Sequence, residues 1–383
     1  MLEKVGLDEF IARHRDLEFT IQEGRENFIS DWNGSHPFVE QFLGAKILKY
    51  VPQRAHFSKY IYYDEHPKIL NGIGDLHYKI ETLKIHHENI LAGPGASSLL
   101  AAFSLWLLQQ GYREIFYVPP LYYTMHFFLR MLNIHARPIS GKQPFEAGAV
   151  VNFPSRKTIL IITDPVWFAG YRMTETQIQE IADWQKRTDS LIFVDGSFQF
   201  TQWNGSRFER SSIFPCDSTF RLVCPTKALA IPSFRFAYLL HPPQFHDDLL
   251  FLYENLVGGA TISDLAFAER ALNILGSKSS NRVLTDFLQT TYTQLLENDI
   301  IRTKIAPECG YFVFALPLAA IAREARMDQE FFELKGYLGY VRINLMVANK
   351  LCLRVKRRRG IARQPLSAGK KRGSAEPSEK SDH

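Results

Sequence analysis

An α/β fold, a mostly parallel sheet flanked by helices with a smaller α+β domain behind it, is what this chain predicts. Three observations carry that expectation. Between Ile90 and Leu240 short apolar runs alternate with segments of helical period. Polar residues stand at the ends of several of those runs. Beyond about His241 the pattern turns helical and then β-rich. Apolar strands separated by helices describe a parallel sheet covered on both faces. In such sheets ligands gather beyond the carboxyl ends of the strands.

Taken in order, the first 45 residues are polar with helical period, and an arm packing on the smaller domain or on a neighbouring subunit is expected of them. Residues 46–245 are expected to form the large domain. Its strand runs are Arg113–Val118, Thr158–Thr163, Leu191–Val194, Phe220–Cys224 and Phe236–Leu240. Leu99–Gln110 is an apolar helix stopped by Gly111. Thr174–Arg187 is an amphipathic one, with Thr174 and Gln177 at capping-box spacing and Ile178, Ile181 and Ala182 on the apolar face. Residues 246–353 are expected to form the small domain: helical over Phe251–Leu275 and Val283–Leu296, then extended over Gly310–Leu316 and Tyr337–Met346. No internal repeat is visible.

Composition narrows the function classes. The chain has 383 residues, 46% of them apolar, enough for a sizeable core. The net charge of +5 comes from the end: from Arg354 onward ten Lys/Arg face three Asp/Glu, which leaves −2 for residues 1–353. A basic patch on the body, and with it a nucleic-acid-binding body, is not indicated. Residues 354–383 are expected to be a disordered basic tail. No apolar run reaches the roughly 20 residues of a membrane helix, and the start of the chain lacks a secretory leader's apolar segment. The four cysteines are scattered, without metal-ligand spacing, as in a reducing, cytoplasmic setting.

Four features bear chemistry. Gly93-Pro94-Gly95-Ala96-Ser97-Ser98 turns into a helix N-terminus, where free N–H groups and the dipole can cradle a phosphate. Asp195 directly follows the run Leu191–Val194, placed to meet a ligand cation. Lys227, in Cys224-Pro225-Thr226-Lys227, again follows a strand, where partial desolvation would make its amine a nucleophile. Arg235, between Phe234 and Phe236, suits an anionic partner such as a phosphate. Taken singly, each has an ordinary reading: a capped helix, a turn aspartate, a surface lysine.

The chain order of these features, with an aromatic pair after Pro120, an Asp-Pro turn and a late Arg342, resembles fold-type I pyridoxal-phosphate (PLP) enzymes. The similarity is to the class I/II aminotransferases and their histidinol-phosphate branch, over about Tyr60–Leu345. It is best in Thr226–Tyr238 and Tyr340–Leu345. The resemblance implies pyridoxal 5'-phosphate as cofactor and transfer of an amino group between an amino acid and a 2-oxo acid. It implies that Lys227 carries the Schiff base, Asp195 partners the ring nitrogen and Tyr122 stacks on the ring. Gly95, Ala96, Ser97 and Arg235 would hold the phosphate, with Thr226 and Cys224 beside them. Tyr62 would reach the phosphate of a second copy in a homodimer, and Arg342 would clamp the substrate carboxylate. Decarboxylase, lyase or oxidase chemistry, and a non-catalytic binding protein, are the alternatives.

Three positions depart from the family pattern: Asp164 in place of asparagine, Phe198 in place of tyrosine and Cys224 in place of serine. Phe198 donates no hydrogen bond and Asp164 does so only if protonated. The Schiff base is therefore expected to keep its proton, unless another residue such as Tyr123 or Tyr238 replaces the missing donors. Trp167, Phe168, Tyr123 and Asn33–Pro37 are candidates to line the substrate pocket.

Overall fold

In the computed structural model, residues 61–139, 151–205, 208–231, 234–277, 282–318 and 327–348 are described. The expected arm, the basic tail and Asn33–Pro37 lie outside them. Among the described residues seven strands form the main sheet: β1 (Ile90–Gly93), β2 (Glu114–Tyr117), β3 (His135–Pro138), β4 (Ile159–Thr163), β5 (Leu191–Gly196), β6 (Thr219–Val223) and β7 (Ala237–Leu240). Their order is β1-β7-β6-β5-β4-β2-β3. The pairs β6–β5, β5–β4, β4–β2 and β2–β3 are parallel, and β7 runs antiparallel between β1 and β6.

Apolar residues on both sides of each central strand explain the burial. On β4, Ile159 and Ile161 face one core while Leu160 and Ile162 face another, and β5 splits Leu191 and Phe193 from Ile192 and Val194 in the same way. The first core is closed by α2 (Ala96–Gln109), α3 (Tyr123–Met131) and α6 (His246–Val257), where Phe103 and Trp106 pack on Phe193 and Phe220. The second is closed by α4 (Glu175–Thr188) through Ile178, Ile181 and Trp184. Thr174 caps α4 with its side chain accepting from Gln177 N, and Gln177 returns the bond, as the spacing predicts. A third core joins α1 (Pro67–Glu81) and α7 (Ile262–Gly276) to β7 and to the loop after α5 (Pro225–Ala228).

The segment Phe251–Leu275, read as one helical stretch, is two helices. The chain breaks at Gly258 (φ 67°) and restarts at Thr261, whose hydroxyl accepts from Asp264 N. Both helices pack on the large layer: α6 against α2 and α7 against α1. The second of them ends at Gly276. Beyond it come α8 (Arg282–Glu297) and a three-stranded antiparallel sheet of β8 (Ile301–Arg302), β9 (Phe312–Pro317) and β10 (Val341–Asn344), ordered β10-β9-β8. Val341–Asn344 is extended as expected, but the chain turns helical from Leu345. β3 has no counterpart among the sequence-read runs, because its burial is slight and its pattern weak.

Candidate active site

The carboxyl ends of the parallel strands bring the predicted residues together. Asp195 lies near the end of β5, Asp164 follows β4 and Cys224 follows β6. Because β7 is antiparallel, its start lies beside the end of β1: Ala237 pairs with Gly93. Arg235, two residues earlier, is thereby brought over the turn into α2. Gly95 caps α2 at φ 103°, a conformation that favours glycine. A Cβ built there would lie 2.5 Å from an Arg235 guanidinium nitrogen. Arginine and the first turn of α2, with Ala96 and Ser97, form one cationic, N–H-rich corner.

Lys227 sits in α5, begun by Pro225 at N1. Burial holds its pKa down to about 8; Arg342 and Arg235 push the same way, and Cys224 and Asp195 oppose them. Its Nζ lies 6.0 Å from the centre of the Phe198 ring. The Asp195 carboxylate accepts from Ser197 N (3.1 Å) and Ser197 Oγ (2.5 Å). Burial raises its pKa, while the two Ser197 bonds and Lys227 pull it back. Burial pushes the Cys224 thiol up to about 12, so it remains a thiol. Thr226 is buried, its hydroxyl donating to Phe236 O at 3.5 Å.

Tyr122 caps α3, donates to the Tyr123 hydroxyl (3.4 Å) and meets the edge of Trp167 at 5.6 Å. Arg342, on β10, is fully buried, with its guanidinium 4.3 Å from the centre of Phe312 and 5.6 Å from that of Trp167. Trp167 and Phe168 share one core cluster, in which Phe168 stacks on Phe332 at 3.9 Å. Among the described residues no hydrogen bond or ring contact joins Tyr62 to this group. Its neighbour Tyr63 donates to Arg235 O at 3.3 Å.

Asp164 is fully buried, and its Oδ2 has no hydrogen-bond partner among the described residues. Its Oδ1 accepts from Met173 N at 2.9 Å, and burial raises its pKa against the pull of Arg172, Arg210 and Arg221. Tyr238 is likewise committed elsewhere, its hydroxyl 2.9 Å from His77 Nε2. His77 leads to a buried chain: Glu81 binds both His77 and the Arg221 guanidinium, and Arg221 donates to Gln199 at 2.7 Å. Sequence reasoning missed Ser197, Arg221, Glu81 and Tyr311, which no local motif marks.

A strand-end lysine with a depressed pKa, a buried aspartate and an arginine-topped helix N-terminus fit the imine-forming carbonyl, ring nitrogen and phosphate of PLP. They define a PLP-dependent transferase on an aminotransferase-like fold. The family model for aminotransferase class I and II matches residues 45–316, and the chain belongs to that family. It is a PLP-dependent transaminase.

Solved structures share the fold at low identity. Thermus thermophilus aspartate aminotransferase (a double mutant) aligns with TM-score 0.69 and 15% identity, covering 93% of this chain and 97% of that one. N-succinyldiaminopimelate aminotransferase from Mycobacterium tuberculosis gives 0.66 and 14%, with 86% and 90% covered. A PLP-bound protein from Clostridium difficile 630 gives 0.66 and 17%, with 89% and 94% covered. Comparison of the sequence with curated proteins finds no match.

Proposed function

We propose that the chain moves an amino group between an amino acid and a 2-oxo acid at the site around Lys227. The observation that supports this best is Lys227 itself, an enclosed amine at a strand end with a pKa near 8, between Asp195 and two arginines. When bound, pyridoxal phosphate supplies an electron sink for the electrons left on the substrate α-carbon. The residues do the rest. Lys227 would hold the cofactor through its carbonyl carbon, and its amine would move the proton on and off the substrate α-carbon. Asp195, kept in place by Ser197, holds the ring nitrogen protonated. Gly95, Ala96, Ser97 and Arg235 bind the phosphate, flanked by Thr226 and Cys224, and Tyr122 covers the ring.

Arg342 clamps the substrate carboxylate. Its guanidinium carbon lies 4.3 Å from the centre of the Phe312 ring, and its fork of donors suits bidentate carboxylate binding. Trp167 closes the same corner and excludes water. Tyr62 reaches the phosphate held by a second copy, which makes the working form a homodimer. The setting is cytoplasmic. Among the described residues no helix is long and apolar enough to cross a membrane.

An absorbance spectrum of the purified protein, with and without a panel of amino acids, tests this beside Lys227→Ala. A yellow protein whose visible band is lost with one class of amino acid, and regained with a 2-oxo acid, is expected. A colourless protein that takes up no pyridoxal phosphate would overturn it.

A further inference from the structure

Tyr311 is a buried phenol beside Phe198. The turn before it is set by Gly310, at φ 70°, whose N–H donates to Thr201 O and Oγ1. Leu345 N donates to Tyr311 O at 2.8 Å, fixing the other side of the residue. The ring is 3% exposed and lies 5.0 Å, centre to centre, from Phe198. Among the described residues its hydroxyl makes no hydrogen bond. The ionisable groups that act on it are Arg342, Cys224 and Tyr122, from three separate parts of the site. A partner arriving with the cofactor or substrate would satisfy that hydroxyl.

The chemistry of the cofactor says which partner. In pyridoxal phosphate the ring nitrogen lies opposite the carbon that joins the lysine. The phosphate arm is on one flank of that carbon and the phenolic oxygen on the other. With the phosphate at Gly95 and Arg235, on the β1–β7 side, that oxygen would face the β5 and β4 side of the sheet. Phe198 stands there and cannot donate. On that side Asp164 Oδ1 accepts from Met173 N, and Oδ2, buried without a partner among the described residues, donates only if protonated. Tyr311 packs directly on Phe198, and burial keeps its hydroxyl protonated, a donor.

We propose that Tyr311 donates a hydrogen bond to the phenolic oxygen of bound pyridoxal phosphate, the work Phe198 leaves undone. The inference rests on the cofactor orientation given under Proposed function. A donor on that oxygen lowers its basicity and loosens the Schiff-base proton that it shares. Removing the donor raises the pH at which the proton is lost.

Titrating the visible absorbance of the holoenzyme against pH, for the parent, Tyr311→Phe and Tyr311→Phe with Phe198→Tyr, tests this. The midpoint should rise by about one pH unit in Tyr311→Phe and return toward the parent value when Phe198→Tyr is added. An unchanged midpoint overturns the proposal. So does an unchanged midpoint with a raised KM for the amino acid, which would put the hydroxyl on the anion held by Arg342. A visible band that survives in Lys227→Ala would instead overturn the cofactor reading on which the proposal stands.

Discussion

Lys227 shows how burial becomes reactivity. Lowering its pKa from 10.5 to about 8 places the amine, the form that attacks a carbonyl, within reach of neutral pH. The amine is populated above the pKa, so uptake of pyridoxal phosphate by the apoprotein should quicken about tenfold per pH unit up to about pH 8 and level off above it. Stopped-flow absorbance measures this; a rate still climbing at pH 10 would mean an ordinary exposed lysine. Beneath the sheet the Glu81–Arg221 pair carries a different load. Burial pushes Glu81 up, but Arg221 and His77 together hold its carboxyl at about 2. Its folded pKa is below the unfolded 4.5, so its contribution is present above about pH 4.5 and is lost as the pH falls toward 2. Glu81→Gln leaves the Arg221 guanidinium buried without its counter-charge. Denaturant unfolding at pH 7 should show a loss of about 3–5 kcal/mol.

The elements differ in how plainly their residues announced them. The α4 helix was legible to its cap, because Thr174, Gln177 and the apolar face are all local signals. The strands β4, β5 and β6 were legible as apolar runs, since both of their faces are buried. The phosphate corner is an element-level device that needs α2, its glycine and the approach of β7 at once. Gly95→Ala should disturb it twice, through a strained φ of 103° and a Cβ 2.5 Å from Arg235. Affinity for pyridoxal phosphate should fall by about tenfold or more while the far-ultraviolet circular dichroism stays unchanged. Equal affinity in the variant would remove Arg235 from the phosphate. The break between α6 and α7 was not legible, because the apolar pattern runs on through Gly258 and only packing on α2 and α1 shows two helices.

For the whole molecule, the proposed site draws on distant parts of the chain: Gly95 on one side of the sheet, Asp195 and Lys227 at its centre, Arg342 from the second sheet. If Tyr62 completes the phosphate site of a second copy, sedimentation should give twice the 44.1 kDa of one chain. Tyr62→Phe should then weaken cofactor binding without dissociating the dimer; a monomer with full affinity would refute the shared site. The sequence by itself determined the α/β class and the cofactor, and it singled out the lysine, aspartate and arginines of the proposed site. These are written in local patterns: apolar runs, a glycine-rich turn, polar residues just past strand ends. Only the tertiary structure decided which side chains share the cleft. It turned Asp164 toward Met173 and Tyr238 toward His77, and set Tyr311 against Phe198 from more than a hundred residues away. The physical reason is that a hydrogen-bond partner or a burial depends on what the fold brings near, and contacts between separate elements leave no period in the sequence.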